Sequence, residues 1–305
     1  MKILVTGGAG FIASHITDSY IKLGHDVVIV DNLSTGKKEN INPKATFYEV
    51  DIRSPELGKI FEKEKPEIVC HHAAQMDVRV SVEKPQYDAD VNIAGLLNIL
   101  QNAYKTGVKR IIFASSGGVV YGDTNQLPCT EELPKKPLSP YGIAKWTSEL
   151  YLNFYASVLG MEYVALRYAN VYGPRQAGGE AGVIAIFIKQ MLKNKQCLIF
   201  GDGTQLRDYV YVADVVRANV AALTKGKNIG INIGTSVPTS VNKLYDNIAE
   251  IMDFNIKAKH MAARPGELYK NYLDNSLARK ILDWEPKIEL ISGLKKTIDF
   301  FKEEL

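Results

Sequence analysis

Cysteine is scarce in this 305-residue sequence: three residues, Cys70, Cys129 and Cys197, stand far apart. Such a set offers neither a disulfide framework nor zinc-ligand spacing. Long apolar runs are missing as well. After Lys2 the run Ile3-Leu4-Val5 is broken at once by Thr6-Gly7-Gly8, which is too short for the apolar core of a secretion signal. No run approaches the roughly eighteen apolar residues that span a bilayer, so the expectation is a cytoplasmic protein without a membrane partner. Charge of one sign is also lacking. Thirty-seven Lys and Arg against 34 Asp and Glu leave a net charge of +3. The basic residues come as doublets such as Lys37-Lys38, Lys135-Lys136 and Lys295-Lys296, which argues against binding nucleic acid through a basic tail. Internal repeats and low-complexity segments are absent. With 46% hydrophobic and 23% charged residues, the composition is that of a folded globular chain.

The first half alternates two kinds of segment. Short β-branched runs occupy 3–5, 27–30, 68–70 and 111–113, with weaker ones at 47–50 and 163–166. Helical spacing fills the gaps at 11–23, 55–63 and 91–106. Nearly continuous apolar strands separated by helices predict a parallel sheet covered on both faces. Right-handed crossovers make that an α/β, Rossmann-type doubly wound sheet. After Gly173 the elements shorten, with helical stretches at 183–193, 214–223, 241–252 and 290–301. The expected division is a cofactor domain over 1–172 and a smaller C-terminal α/β substrate domain over 173–305. A strand near 230–234 is a candidate to return to the first sheet.

The predicted strand at 3–5 runs into Gly7, Gly8 and Gly10, and a helix follows. Glycines let the backbone approach a pyrophosphate, and a helix N-terminus offers free N–H groups. The spacing, Gly7-x-x-Gly10-x-x-Ala13, departs from the common dinucleotide fingerprint in its first interval and ends in Ala. A second strand ends at Asp31, twenty-four residues after Gly7. A carboxylate there accepts from ribose hydroxyls and repels a 2′-phosphate, which favours NAD over NADP. The plainer readings are a structural turn and a strand-capping Asp. Asp51-Ile52, after the third strand, is placed for the adenine edge or for a polar loop.

Ser139-Pro140 reads as a helix start. Tyr141 and Lys145, four residues apart, then share one helix face. An ammonium beside a phenol stabilises its anion and lowers its pKa, which would make Tyr141 a usable general base. The pair follows the 111–113 strand and the segment Ser115-Ser116-Gly117-Gly118-Val119-Val120-Tyr121-Gly122.

Taken together, the glycine loop, Asp31-Asn32-Leu33-Ser34-Thr35-Gly36, the Ser-Ser…Val-Tyr-Gly segment and Tyr141…Lys145 resemble the extended short-chain dehydrogenase/reductases. Leu166 to Pro174, Phe200 to Tyr209 and Arg264-Pro265-Gly266-Glu267 carry the match over nearly the whole chain, in a form similar to the UDP-glucose 4-epimerase group. The resemblance implies NAD as cofactor, a UDP-sugar as substrate and no metal. It implies that Tyr141 removes the proton of the sugar's 4-OH while hydride leaves C4, with hydride returned to the other face of a 4-keto intermediate. Lys145 would hold the nicotinamide ribose. Gly7, Gly10, Phe11, Ile12, Asp31, Asn32, Ser34, Thr35, Gly36, Asp51 and Ile52 would bind the rest of NAD. Ala73, Ala74, Gln75, Met76, Asn92 and Tyr168 would complete its pocket. Asn170, Val183, Phe200, Arg207, Arg264 and Glu267 would bind the nucleotide-sugar, the two arginines at its pyrophosphate. For Arg207 the plainer reading is an ion pair with Asp208 or Asp202, and for Arg264 one with Glu267.

One position departs from that pattern. A Ser or Thr four residues before the Tyr of Val-Tyr-Gly usually helps bind the reacting hydroxyl, and here that place is Gly117. Either Ser116 or a water takes over. Alternation along a strand favours the water, and on that view Gly117→Ser would accelerate the reaction. The same segment separates related reactions. Dehydratases of the family carry an Asp-Glu pair where this chain has Gly118 and Val119, and UDP-glucuronate decarboxylases carry a Glu at the second place. Uronate epimerases and a non-catalytic NAD-dependent regulator stay open. His71 and His72 lack partners at metal-ligand spacing. Family members pair helices equivalent to 91–106 and 141–159 into a dimer, and Leu96, Leu97, Leu100, Leu150 and Leu152 are the expected contacts. Tyr151, Phe154 and Tyr155 read as core or subunit contact.

Overall fold

The computed structural model describes residues 1–176, 182–263 and 268–304. Its N-terminal elements are β1 (Lys2–Thr6), α1 (Phe11–Lys22), β2 (Asp26–Asp31), β3 (Thr46–Glu49), α2 (Glu56–Glu64) and β4 (Ile68–His71). Then come α3 (Val78–Glu83), α4 (Pro85–Ala89), a π turn over Asp90–Ala94, α5 (Gly95–Lys105), β5 (Arg110–Ser116), α6 (Pro140–Leu159) and β6 (Glu162–Tyr168). The C-terminal part holds β7 (Asn170–Tyr172), α7 (Val183–Leu192), β8 (Leu198–Phe200), β9 (Leu206–Tyr211), α8 (Val212–Ala222) and β10 (Ile229–Ile233). It ends with β11 (Pro238–Ser240), α9 (Val241–Ile251), β12 (Lys259–Met261), β13 (Lys270–Asn271), α10 (Ser276–Leu282) and α11 (Leu290–Glu303).

Seven parallel strands form the main sheet in the order β10-β6-β5-β4-β1-β2-β3. Period-two alternation sends Ile3 and Val5 of β1 to one face and Leu4 to the other. The first face packs on α1 and α8 through Ile16, Tyr20, Val215 and Ala218. The second packs on α2, α5 and α6 through Leu57, Phe61, Leu100 and Leu152. Both faces are therefore dry, which is why these strands read as unbroken apolar runs. A third core joins α7, α9 and α11 through Phe187, Ile188, Leu244, Ile248, Leu294 and Phe301. It sits beside β9, which pairs with β7, β11 and β13.

The chain crosses between these two parts repeatedly. β10 leaves the C-terminal part to become an edge strand of the main sheet, parallel to β6. α8 and α10 bring Ala222, Ala278 and Leu282 into the same core. A single cut after residue 172 would thus divide the main sheet.

Two regions depart from the expected elements. Residues 78–94 carry α3, α4 and the π turn, each too short to show helical periodicity. Strands β7, β8, β9, β11, β12 and β13 are short and lie in small sheets, so no apolar run marks them in the sequence. Of the five leucines expected at a subunit contact, Leu96, Leu100 and Leu152 belong to the chain's own core. Leu97 is half-buried and Leu150 exposed. Tyr155 is buried, whereas Tyr151 and Phe154 are exposed.

Candidate active site

One cleft of about 1640 Å³ runs across the C-terminal ends of the main strands and into the second part. It exceeds the space of a single small-ligand pocket, roughly 300–1,000 Å³. Its floor begins at the glycine loop. Gly7 has φ +71°, and a Cβ there would lie 2.7 Å from the Ala73 nitrogen. Glycine is thus required both by the left-handed backbone and by the close approach of the loop after β4. The N-terminus of α1 follows at Phe11, with no side-chain cap, so its first N–H groups face the cleft as an anion cradle.

Asp31 ends β2. Its Oδ2 accepts from the Ala9 N–H at 3.0 Å and its Oδ1 from the Leu33 N–H at 2.8 Å. Burial pushes the carboxyl up and those two donors oppose the shift. Asp31 lines the cleft, and a carboxylate has lone pairs beyond those two for further donors. Gly36 does not line the cleft. It lies against Asp31, where a Cβ would come within 3.0 Å of both carboxylate oxygens. Asp51 accepts from Asn32 at 2.8 Å and from Arg53, and the Arg53 hydrogen bonds hold its carboxyl well below the usual range. The glycine loop, the diol-binding carboxylate and the bare helix N-terminus together fit a dinucleotide.

α6 forms because Ser139 caps it, its Oγ accepting from the Gly142 N–H at 3.1 Å, with Pro140 at the first helical position. That helix aims Tyr141 and Lys145 into the cleft. The Lys145 ammonium lies 5.6 Å from the centre of the Tyr141 ring and donates to the Ala114 carbonyl at 2.8 Å. Burial pulls Lys145 down to about 8, with Asp88 and Glu149 acting against it. The expected lowering of the Tyr141 phenol by Lys145 is not what the protein alone provides. Burial pushes that phenol up, the Asp88 charge adds to the rise, and a hydrogen bond with Ser116 opposes it.

That contact, and the place of Ser116 in the lining of the cleft, bear on the Ser116 question. Neighbouring residues at the end of β5 do point to opposite sides, but it is Ser116 that faces Tyr141. A Cβ on Gly117 would point the other way, 2.4 Å from Leu273 Cδ1. Side-chain direction thus favours Ser116 and not the water, and a side chain at Gly117 would press on Leu273.

Asn92, expected at the cofactor, is buried and lies outside the lining of the cleft. Its Oδ1 accepts from the Gln75 N–H at 3.0 Å, and its Nδ2 donates to the Gln75 carbonyl at 2.9 Å. It clamps the loop that lines the cleft through Ala73, Ala74, Gln75 and Met76. Tyr168 lines the cleft between His72 Nε2, at 3.0 Å, and Asn219 Nδ2, which donates at 2.8 Å. His71 is buried against Thr6 at 2.7 Å. Among the described residues no His, Cys, Asp and Glu side chains gather into a metal site.

Asn170, Val183, Phe200 and Arg207 line the far half of the same cleft. The Arg207 guanidinium donates to the Leu206 carbonyl at 2.9 Å. Asp208 is buried and ties down Thr235, Ser236 and Leu273, and Asp202 accepts from Thr204. Arg264 and Glu267 lie outside the described residues.

The sequence pattern described as the NAD dependent epimerase/dehydratase family matches residues 3–234. The chain belongs to this family. It is 40% identical to a UDP-glucose 4-epimerase of Mycolicibacterium smegmatis over 100% of this chain and 99% of that one. Among solved structures it is similar to the UDP-glucose 4-epimerase of Thermotoga maritima with UDP-glucose, at 49% identity and a TM-score of 0.98, covering 100% of this chain and 99% of that chain. The Thermus thermophilus UDP-glucose 4-epimerase in complex with NAD matches at 39% identity and a TM-score of 0.96, covering 100% of both chains. Membership of this family makes NAD the cofactor, and the similarity to UDP-glucose 4-epimerases makes the chain an NAD-dependent isomerase.

Proposed function

We propose that this chain interconverts UDP-sugars that differ in configuration at C4, of the UDP-glucose and UDP-galactose type. The observation that carries the reading is one hydroxyl pair, Ser116 and Tyr141, beside the Lys145 ammonium in the cofactor half of the cleft. Gly118 and Val119 line the cleft where a dehydratase or decarboxylase of the family has its additional acids, and neither side chain carries a proton to move. The names of the similar proteins support the same reaction.

When bound, NAD supplies the hydride acceptor and donor for C4. The chain does the rest. Tyr141 takes the 4-OH proton as a phenolate and later returns it. Ser116 orients the hydroxyl by donating to it or accepting from it. Lys145 places positive charge where the phenolate forms. Arg207 holds the substrate pyrophosphate, so the sugar can turn over while its nucleotide end stays fixed. The test is incubation with NAD and a panel of UDP-hexoses, followed by analysis for C4 inversion. UDP-galactose from UDP-glucose is the expected product, and no inversion of any UDP-sugar overturns the reading.

We also propose a homodimer, with Leu150 at its contact but not the buried Leu96, Leu100 and Leu152. Ile143, Leu150, Phe154 and Val158 of α6 are exposed and recur at intervals of seven, four and four, which makes one stripe along the helix. Tyr104 of α5 is exposed as well. A contiguous apolar face of this kind suits a self-complementary two-fold contact. Light scattering at micromolar concentration is expected to give twice the chain mass, and Phe154→Glu with Val158→Glu is expected to give the monomer. A monomeric wild type refutes the proposal. Unpaired thiols at Cys70, Cys129 and Cys197 suit a reducing compartment, and we assign the reaction to the cytoplasm.

A further inference from the structure

One carboxylate beside the active site takes no part in the steps above. Asp88, in α4, is 1% exposed. Its Oδ1 accepts from Gln75 Nε2 at 2.7 Å and from Asn92 Nδ2 at 3.0 Å. Its Oδ2 is buried with no hydrogen-bond partner. A native fold seldom leaves a buried carboxylate oxygen unpaired, because its desolvation is costly. The place is unusual in its backbone too. The π turn at Asp90–Ala94 begins two residues later, and such turns are frequent at functional sites. That turn carries Asn92, and Gly95 just after it packs on Ile52, where a Cβ would meet Ile52 Cδ1 at 2.6 Å. α4 packs against α6, the helix of Tyr141 and Lys145.

We infer that Asp88 is a positioning residue of this active site: it fixes the Gln75 and Asn92 amides behind the cleft and supplies the negative charge that faces Tyr141 and Lys145. The Asn92 amide is then fully committed. One Nδ2 proton goes to Asp88 and the other to the Gln75 carbonyl, while Oδ1 takes the Gln75 N–H. The loop lining the cleft is held at two points by one side chain whose orientation Asp88 sets.

The charges around it are accounted for on every side. Glu149 lies one turn beyond Lys145 on α6 and is paired with Arg167. Asp90 of the π turn is paired with Arg53. At the start of α3, Asp77 is paired with Arg79. His71 and His72, at the end of β4, are both held neutral by burial and by the Lys145 charge. Asp88 has no guanidinium or ammonium bonded to it among the described residues; burial pushes its carboxyl up, and the Gln75 and Asn92 hydrogen bonds and the Lys145 charge oppose that rise. Its negative charge raises the pKa of Lys145 and of Tyr141 alike. Removing that charge must lower both.

Asp88→Asn keeps the shape and deletes the charge. The inference rests on Tyr141 as the base, so the test has one arm that needs no turnover. The Lys145 13Cε resonance, assigned with Lys145→Arg, is titrated in the NAD-bound protein. In Asp88→Asn its midpoint is expected to fall by about half a pH unit or more, and Asp88→Glu is expected to stay with the wild type. If Asp88→Asn does not fold, Asp88→Ser provides a second neutral side chain. In the second arm, both limbs of the kcat–pH profile are expected to move to lower pH in the neutral variant. An unmoved Lys145 midpoint together with unmoved limbs overturns the inference, whatever the fall in kcat. An inactive wild type whose Lys145 midpoint still depends on Asp88 instead overturns the epimerase reading and leaves the charge coupling standing.

Discussion

Tyr141→Phe is expected to lower kcat about 10²–10⁴-fold, the range a positioned general base contributes. The ring is conserved, so packing around it is kept, and calorimetric titration should find NAD binding and the melting temperature close to those of the wild type. Ser116→Ala is the companion. Its hydroxyl hydrogen-bonds the phenol, and its loss is expected to remove about 1–3 kcal/mol of transition-state stabilisation, as for a lost hydrogen bond to developing charge. The order of the two effects is itself informative. A Ser116→Ala protein more impaired than Tyr141→Phe would move the proton acceptor from Tyr141 to Ser116. Full activity in Tyr141→Phe would end the proposed mechanism.

The second large effect lies behind the site. Glu149 and Arg167 form a buried ion pair, 2.7 Å from Oε2 to the guanidinium, with side chains 4% and 6% exposed. Ser115 Oγ donates to Glu149 Oε1 at 2.6 Å. The Arg167 guanidinium also donates to the Tyr121 hydroxyl at 2.9 Å, which donates in turn to Asn232 Oδ1 at 2.6 Å. The network joins α6, β5, β6 and β10 directly beneath Ser116. Glu149→Ala strands the guanidinium in the interior, and breaking such a pair costs about 3–5 kcal/mol. For a chain of this size that is a fall in Tm of about 5–8 °C. Replacing both partners by Met is expected to recover much of the loss, because an apolar pair carries no stranded charge. A Glu149→Ala protein that melts with the wild type would show that Arg167 finds water or another acceptor.

The parts of this fold legible in the sequence are those whose burial is two-sided. β1, β2, β4 and β5 are apolar on both faces because helices cover both faces, so their runs stand out. The glycine loop and Asp31 were legible for another reason: positive φ at Gly7 and the close approach of Ala73 leave only glycine, and the acidic strand end follows at a fixed interval. The work of Ser116 was obscured by counting positions. The count pointed to Gly117, whereas side-chain direction, fixed by the pairing of Ser116 with Tyr168 across β5 and β6, gives the task to Ser116. Asn92 was found as a site residue but not as a clamp, because its partners are backbone atoms of Gln75, which no residue pattern records. The sequence signal for Asp88 is its place four residues before Asn92, the interval at which helix side chains meet. The exposed stripe of α6 needed the helix's orientation on the sheet. Without it, Leu152 and Leu150 look alike.

The strand β10 has a mechanical consequence. Enzymes that close by swinging two lobes together are joined by a few crossings that absorb the change in backbone angles. Here β10, α8 and α10 are built into the main sheet and its core, while the chain between and beyond them builds the opposite wall. Among the described residues the two walls therefore share a sheet edge and a core. The wall that carries Arg207 is thus joined to the sheet beneath Tyr141 through several elements, β10, α8 and α10, and not through one linker.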